Sequence, residues 1–249
     1  MLRINRLCML LVVAGLLQAC VAVNPGKSRE EQASDVNTEM GLGYLQQDNY
    51  ELASEKLIKA LRQNPESVKA NYVYAVLQDK LGQRELAEFH YKKATELDPK
   101  NSEAANNFGA FLCRNGRELE SEKYFLKALD NPLYKTPEYA YTNAAICLLQ
   151  INQSVKGKEY LRKAVASKSD FGPALLALSD VLYKEGDFAN AKLYIDRYHL
   201  VSRPSARSLW LAIRNALELD REGEVEELAQ RLESNFPASE EYQQWKQIQ

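Results

Sequence analysis

The feature of this sequence that most constrains its fold is a helix-pair pattern that recurs every 34 residues. The clearest copy is residues 106–128, NNFGAFLCRNGRELESEKYFLKA, where a turn at Gly116 separates two amphipathic segments. Small residues and large apolar residues fall at fixed offsets around this turn, and the same offsets recur before and after it. A repeat of this length predicts stacked helix pairs, because a single pair cannot bury its apolar face alone.

The offsets are those of the tetratricopeptide repeat, a helix pair with small residues where its two helices cross. In the copy above, Gly109, Ser121 and Ala128 take these small positions, which allow close approach of the helices. Sustained period-two alternation, the signal for strands, is not found. The predicted fold is therefore all-α, a right-handed α-solenoid of six tetratricopeptide-like helix pairs plus a C-terminal capping helix. The predicted units are residues 34–67, 68–101, 102–135, 138–171, 172–205 and 206–239, followed by a capping segment at 240–249.

Composition and charge narrow the classes of partner. The 249 residues are 45% apolar and 27% charged, with a formal net charge of −2. A chain with so little net charge has no global field that would attract nucleic acid or anionic lipid. We therefore expect no nucleic-acid partner, and we also expect no small-molecule substrate.

The first nineteen residues have the pattern of an export signal rather than of the fold. Arg3 and Arg6 are followed by an apolar run too short to span a bilayer comfortably. The run closes with LQAC at residues 17–20, which is similar to a bacterial lipobox, and predicts lipidation of Cys20. The alternative is an ordinary signal peptide with an incidental cysteine.

Residues 20–33 are predicted to be a lipidated tether between the membrane and the first helix. Pro25 and Gly26 lie in this polar stretch, which suits a flexible linker. In other bacterial lipoproteins an Asp after the lipidated cysteine favours the inner membrane, and this chain has Val21 there. By that resemblance, the protein is expected on the periplasmic face of the outer membrane.

Two cysteines remain after the signal and the lipid site, Cys113 in the third unit and Cys147 in the fourth. Both fall on the first helices of neighbouring units. In an oxidising compartment two leftover cysteines predict a disulfide. The alternative is that both are buried small hydrophobic residues.

The sequence offers no recognisable catalytic or metal site. His90 and His199 are far apart, and HExxH, CxxC and GxSxG motifs are absent. The acidic run from Glu222 to Glu227 is better read as a solvated helix face than as a cation site. We expect a protein that is not an enzyme and that uses no cofactor.

A binding surface is expected along the concave face, at set positions of each unit's first helix. Apolar side chains recur at these positions and predict a floor that would hold an extended or helical peptide. The alternative is that the tether or a neighbouring helix covers them. The predicted groove residues are Thr38, Leu42, Leu45, Tyr72, Val76, Asn106, Ala110, Tyr139, Ile146 and Leu149.

Taken together, the chain resembles the type IV pilus biogenesis and stability lipoproteins of the PilF/PilW type, which are secretin pilotins with six tetratricopeptide repeats. The resemblance covers nearly the whole chain. It depends on the lipobox ending at Cys20, LGYLQ at 42–46, NNFGAFLC at 106–113, ARSLWL at 206–211 and EYQQW at 241–245.

This resemblance implies a monomer, anchored by its lipid, that helps the outer-membrane secretin of the type IV pilus to localise and multimerise. It implies that the groove grips a secretin segment. The competing interpretation is a generic periplasmic or outer-membrane tetratricopeptide scaffold for envelope or cell-wall assembly.

Overall fold

The computed structural model describes residues 26–248, which form thirteen helices and no strand. The predicted all-α solenoid is confirmed. The helices are α1 Arg29–Gln46, α2 Tyr50–Gln63, α3 Val68–Lys80, α4 Arg84–Leu97, α5 Ser102–Arg114, α6 Glu118–Leu129, α7 Pro137–Gln150, α8 Ser154–Ser167, α9 Gly172–Lys184, α10 Phe188–Val201, α11 Ala206–Glu218, α12 Glu222–Asn235 and α13 Glu240–Gln247.

The helices are arranged as six consecutive pairs stacked in chain order. Each odd-numbered helix from α1 to α11 packs on its even-numbered partner and on the next odd-numbered helix. Even-numbered helices of successive pairs make no comparable contact within residues 26–248. The array therefore curves, and α1, α3, α5, α7, α9 and α11 line its inner, concave face.

The turn inside every pair uses a residue in the left-handed backbone region. Glycine takes this conformation without steric cost, whereas Asp and Asn tolerate it because their short polar side chains bond locally. The six residues are each 15th in their unit, and they explain why the pairs close at the same point. They are Gly82, Gly116 and Gly186, with φ of 74°, 76° and 79°, and Asp48, Asn152 and Asp220, with φ of 55°, 59° and 53°.

Seven of the thirteen described helices, α1, α2, α3, α5, α10, α11 and α13, begin with a side-chain cap that satisfies a free backbone N–H group. The Ser28 hydroxyl accepts from the Glu31 N–H at 3.1 Å, while the Glu31 carboxylate accepts from the Ser28 N–H, so α1 begins with a capping box. The Asn101 side chain caps α5 by a single bond, in which Oδ1 accepts from the Ala104 N–H at 2.9 Å. Short polar residues thus help to set where these seven helices begin.

Close packing inside the pairs depends on glycine where two helices cross. A Cβ placed on Gly109 of α5 would lie 2.8 Å from the ring of Phe125 on α6. A Cβ on Gly41 of α1 would lie 2.6 Å from Cγ of Leu57 on α2. Both large side chains are fully buried, so the glycines let the core close over them.

The C-terminal helix α13 covers the end of the array. It contacts α11 and α12, and its Tyr242 and Trp245 pack against the apolar cluster of the last pairs. The Tyr242 hydroxyl donates to the Glu233 carboxylate at 2.6 Å. This helix closes an apolar end that would otherwise face water.

The signal segment, Cys20 and the first part of the tether lie outside the described residues. Across residues 26–248, no helix combines the length and the hydropathy needed to cross a bilayer.

Candidate peptide-binding groove

The concave face carries the predicted groove residues, but they differ in accessibility. Tyr139 and Ile146 on α7 are 48% and 42% exposed. The other accessible members are half-buried on α1, α3, α5 and α7: Leu42, Tyr72, Val76, Ala110 and Leu149. These seven side chains can contact a partner.

Thr38 and Leu45 were expected on the accessible floor, and that assignment is corrected. Thr38 is 1% exposed, and its hydroxyl donates to the Ser34 carbonyl one turn back on α1 at 2.8 Å. Leu45 is 5% exposed and belongs to an apolar cluster with Leu57 and Val73. The neighbouring helix α3 packs so closely that both residues support the groove from below.

Asn106 is also buried, and it connects two units. Its Oδ1 accepts from Nδ2 of Asn143 at 3.0 Å, which links α5 to α7. The bond holds neighbouring odd-numbered helices in register at the middle of the face. Asn106 therefore positions the groove wall more than it offers surface to a partner.

The groove over the first three pairs is crossed by polar bridges between successive odd-numbered helices. Lys69 on α3 pairs with Glu39 on α1. The Tyr72 hydroxyl lies 3.4 Å from the Glu103 carboxylate on α5. Burial raises the pKa of Tyr72 well above its usual range, and the nearby Glu103 carboxylate raises it further. This end of the face has an apolar base divided by charged pairs.

A polar cavity of about 520 Å³ opens at the same end, above Val76. Its walls carry Asp79, which pairs with Arg114, together with Lys80 and Arg84. Charged groups around one valine favour contact with polar side chains of a partner.

A second cavity, larger than the first, lies further along the array on the concave face. It has a volume of about 710 Å³ and spans α7, α9 and the start of α11. Such a volume is in the range of ligand pockets and can accept several peptide side chains. Apolar side chains form its floor: Ile146, Leu149, Leu176, Ala177 and Val181. Charged side chains form its rim: Asp180, Lys184, Glu185 and Arg207.

Two residues of this cavity's lining, Ile146 and Leu149, belong to the groove predicted from the sequence. Some of the missed residues had a readable signal, because they occupy in the fifth unit the same positions of the first helix as the predicted groove residues of the first four units. Continuing that register gives Leu176, Asp180 and Lys184, all of which line the cavity. The open groove thus extends past the fourth unit.

The two cysteines lie where α5 and α7 meet. Cys113 and Cys147 are joined as a disulfide in the structure, with a Cα–Cα distance of 5.8 Å and a sequence separation of 34. Both are buried, and Ala110 and Leu149 of the groove pack against the cluster that contains them. The bridge links the third pair to the fourth at the centre of the concave face.

The two histidines are built into the packing between helices. His90 Nδ1 lies 2.8 Å from Oδ1 of Asn71, whose Nδ2 already donates to the Pro65 carbonyl at 3.0 Å. The His90 Nδ1–H is therefore the donor. Burial lowers the pKa of His90 to about 4, and Lys93 adds to this effect. Burial likewise lowers the pKa of His199, whose Nε2 lies 3.1 Å from the Ser208 hydroxyl.

The described residues contain no group of three His, Cys, Asp or Glu side chains placed to hold a metal ion. The concave face instead combines apolar floors with charged rims. In chemical terms, this arrangement can hold a peptide by side-chain pockets.

Comparison with known proteins gives a family for the whole chain. Tetratricopeptide-repeat models match residues 68–101 and 90–123. The chain is 31% identical over 245 residues to the type IV pilus assembly protein PilF of Pseudomonas aeruginosa, covering 96% of this chain and 97% of that protein.

Solved structures agree with this relationship. The structure of P. aeruginosa PilF matches with a TM-score of 0.82 and 31% identity, over 89% of this chain and 100% of that one. PilW, described as a widely conserved type IV pilus biogenesis factor, matches with a TM-score of 0.78 and 31% identity, over 86% of this chain and 98% of that one. The protein thus belongs to the PilF/PilW family of tetratricopeptide-repeat proteins.

Proposed function

We propose that this protein is an outer-membrane lipoprotein that binds the secretin of the type IV pilus and promotes its localisation and multimerisation. The observation that carries the proposal is the end-to-end relationship with PilF, whose name assigns it to type IV pilus assembly. The groove supplies a surface of the right kind for a protein segment. The role is that of a scaffold, without catalysis.

Anchoring is assigned to Cys20 and its lipid. Between Cys20 and the start of α1 at Arg29 there are eight residues. A fully extended chain spans at most about 3.3–3.6 Å per residue, so this segment reaches roughly 30 Å. The first pair is therefore held close to the membrane while the rest of the array extends into the periplasm.

Recognition is assigned to the open parts of the concave face. A secretin segment would place apolar side chains on Leu42 and Val76 near the first pairs and on Ile146 and Leu149 further along. Fully burying one large aliphatic side chain contributes about 1.5–3 kcal/mol, so a few such contacts suffice for a stable complex. The charged pairs between these floors then favour a segment of matching polarity.

The Cys113–Cys147 bridge is proposed to keep the two floors in one rigid frame. It joins α5, which follows the floor at Leu42 and Val76, to α7, which lines the large cavity. Formation of the bridge in the exported protein would restrict motion at the junction where the loop from Asp130 to Thr136 interrupts the regular spacing.

The experiment that tests this proposal measures secretin multimers in a bacterial strain from which the gene for this protein has been deleted. The strain is complemented with the wild type, with an Ile146→Asp, Leu149→Asp double variant, or with Leu133→Asp. Leu133 is 83% exposed in the α6–α7 loop, outside the groove, so it controls for an added surface charge.

We expect multimers on an unboiled gel with the wild type and with the loop variant, and their loss with the groove variant. Circular dichroism of the purified variants must show unchanged helix content. Normal multimers in a strain without the protein would overturn the proposed function. Normal multimers with the groove variant alone would move the binding site elsewhere.

A further inference from the structure

An arginine lies between two aromatic rings next to the large cavity. The guanidinium carbon of Arg214 on α11 is 4.7 Å from the ring centre of Tyr183 on α9 and 5.5 Å from that of Trp210. We call these three residues the arginine cluster. All three are half-buried on odd-numbered helices. The rings hold the guanidinium in place by cation–π contact.

The charge on Arg214 has no carboxylate partner within residues 26–248. Its Nε atom is buried and lacks a hydrogen-bond partner. Nearby arginines differ, because Arg207 lies 3.7 Å from Asp180 and Arg221 lies 3.6 Å from Glu224. A half-buried, unpaired cation is unfavourable by itself, so a carboxylate arriving from a partner would gain a strong interaction.

The arginine cluster continues the surface of the cavity. Arg214 is seven residues after Arg207 of the cavity rim, and residues two turns apart share one face of a helix. Leu176 of the cavity floor packs against the same apolar cluster as Tyr183 and Trp210. The concave face therefore offers an apolar floor followed by a fixed, unpaired cation.

We propose that this surface binds an extended protein segment that places an Asp or Glu carboxylate on Arg214 and a large apolar side chain in the cavity. The planar guanidinium can donate two parallel hydrogen bonds to one carboxylate, which fixes the direction of the segment. The inference rests on the proposed function in using the same groove, and it adds the chemistry of the segment that fits.

The geometry also sets the spacing of the two recognised side chains. Seven residues of helix rise by about 10 Å, at roughly 1.5 Å each. An extended chain rises by about 3.3 Å per residue. Because Arg207 lines the cavity, an acidic residue on Arg214 and an apolar residue that enters the cavity beside Arg207 are expected about three or four positions apart.

The test uses a displayed library of random dodecapeptides selected on the purified protein. Enriched peptides are synthesised with a fluorescent label, and their affinities are measured by anisotropy. We expect an Asp or Glu at a fixed distance of about three or four residues from a Leu, Ile or Phe. A charged hydrogen bond of this kind corresponds to about 10- to 100-fold in affinity.

Matched variants locate the contact. Arg214→Gln should weaken binding about 10-fold or more, and so should Glu→Gln in the peptide, but the two changes together should cost little more than either alone. Arg203→Gln removes the same charge from the exposed α10–α11 loop and should leave binding unchanged. Arg214→Lys, which keeps the charge but loses the planar fork, should fall between wild type and Arg214→Gln.

Selection of peptides without acidic residues, or equal binding by wild type and Arg214→Gln, would overturn the inference. The peptide-side change keeps the test valid if Arg214→Gln proves unstable. Capture of solubilised secretin is measured in parallel. Equal capture of the secretin by the wild type and by Arg214→Gln would contradict this inference but not the proposed function. If the wild type captures no secretin but still binds the peptides through Arg214, the proposed function is contradicted and the inference is not.

Discussion

Two glycines of α1 provide a direct test of the close packing that defines the pairs. An added Cβ at Gly41 would lie 2.6 Å from Cγ and 2.9 Å from Cδ2 of the fully buried Leu57. An added Cβ at Gly43, two residues along the same helix, meets no atom within 4 Å. Gly41→Ala and Gly43→Ala therefore reduce the freedom of the backbone by the same amount, but only Gly41→Ala disturbs the packing of the folded protein.

The magnitudes follow from this contrast. Each alanine gains about 0.8–1 kcal/mol of helix propensity over glycine. At Gly41 the contact with Leu57 is roughly 1 Å too short for two carbons, whose favourable separation is about 3.5–4.0 Å. Overpacking of this kind costs about 1–3 kcal/mol. Gly43→Ala should stabilise the protein by about 0.8–1 kcal/mol, and Gly41→Ala should be about 1–3 kcal/mol less stable than Gly43→Ala.

Urea unfolding measures the global effect, and hydrogen exchange of α1 and α2 amides measures the local one. The local measurement is needed because the terminal pair of a linear array can open separately from the rest. Protection should rise in Gly43→Ala and should be clearly lower in Gly41→Ala than in Gly43→Ala. Equal stabilisation by both alanines would show that Leu57 has free space beside it, and the account of the small positions would be refuted.

Three further predictions concern the bridge, a histidine and a turn. Intact-mass measurement without reductant should show Cys113 and Cys147 oxidised in the exported protein, and replacing both by Ser should cost about 3–4 kcal/mol; two free thiols would contradict this. In the folded protein the pKa of His90 is about 4, below its value of about 6.5 in the unfolded chain. Between these two values the unfolded chain binds the proton more readily than the folded protein does. The free energy of unfolding should therefore fall as the pH drops from about 6.5 towards 4. His90→Phe should flatten that part of a Tm-against-pH curve, and an unchanged slope would show that His90 is not its source. Gly116→Ala should lower the free energy of unfolding by about 1 kcal/mol or more, since Gly116 has φ of 76°, and urea unfolding of the variant checks it; no loss would mean that the turn does not need this conformation.

The repeating part of the fold could be predicted from sequence because its determinants are local and periodic. Gly116 marks the turn of its unit, and Gly109 and Phe125 mark the place where helices α5 and α6 cross. Their positions within the 34-residue unit can be read from the sequence alone. The left-handed turn conformation recurs at the same position of the unit where the residue is Asn152 or Asp220, because Asn and Asp also tolerate it.

The accessibility of the groove was less predictable, because it depends on distances between units. Thr38 and Leu45 occupy positions that face the concave side, yet close packing of α3 on α1 buries them. The cavity over α7 and α9 depends on how far successive helices separate, which one sequence does not record. The sequence likewise does not show that the Arg214 guanidinium has no carboxylate partner within the described part of the chain.

Site-specific photocrosslinking in living cells tests most directly whether the concave face holds a secretin segment. A benzophenone amino acid is placed at Ile146 in the groove or at Leu133 in the α6–α7 loop, both of which are accessible. We predict an adduct with the mass of one secretin subunit plus this protein at Ile146 and none at Leu133. An adduct at Leu133 without one at Ile146 would contradict the claim.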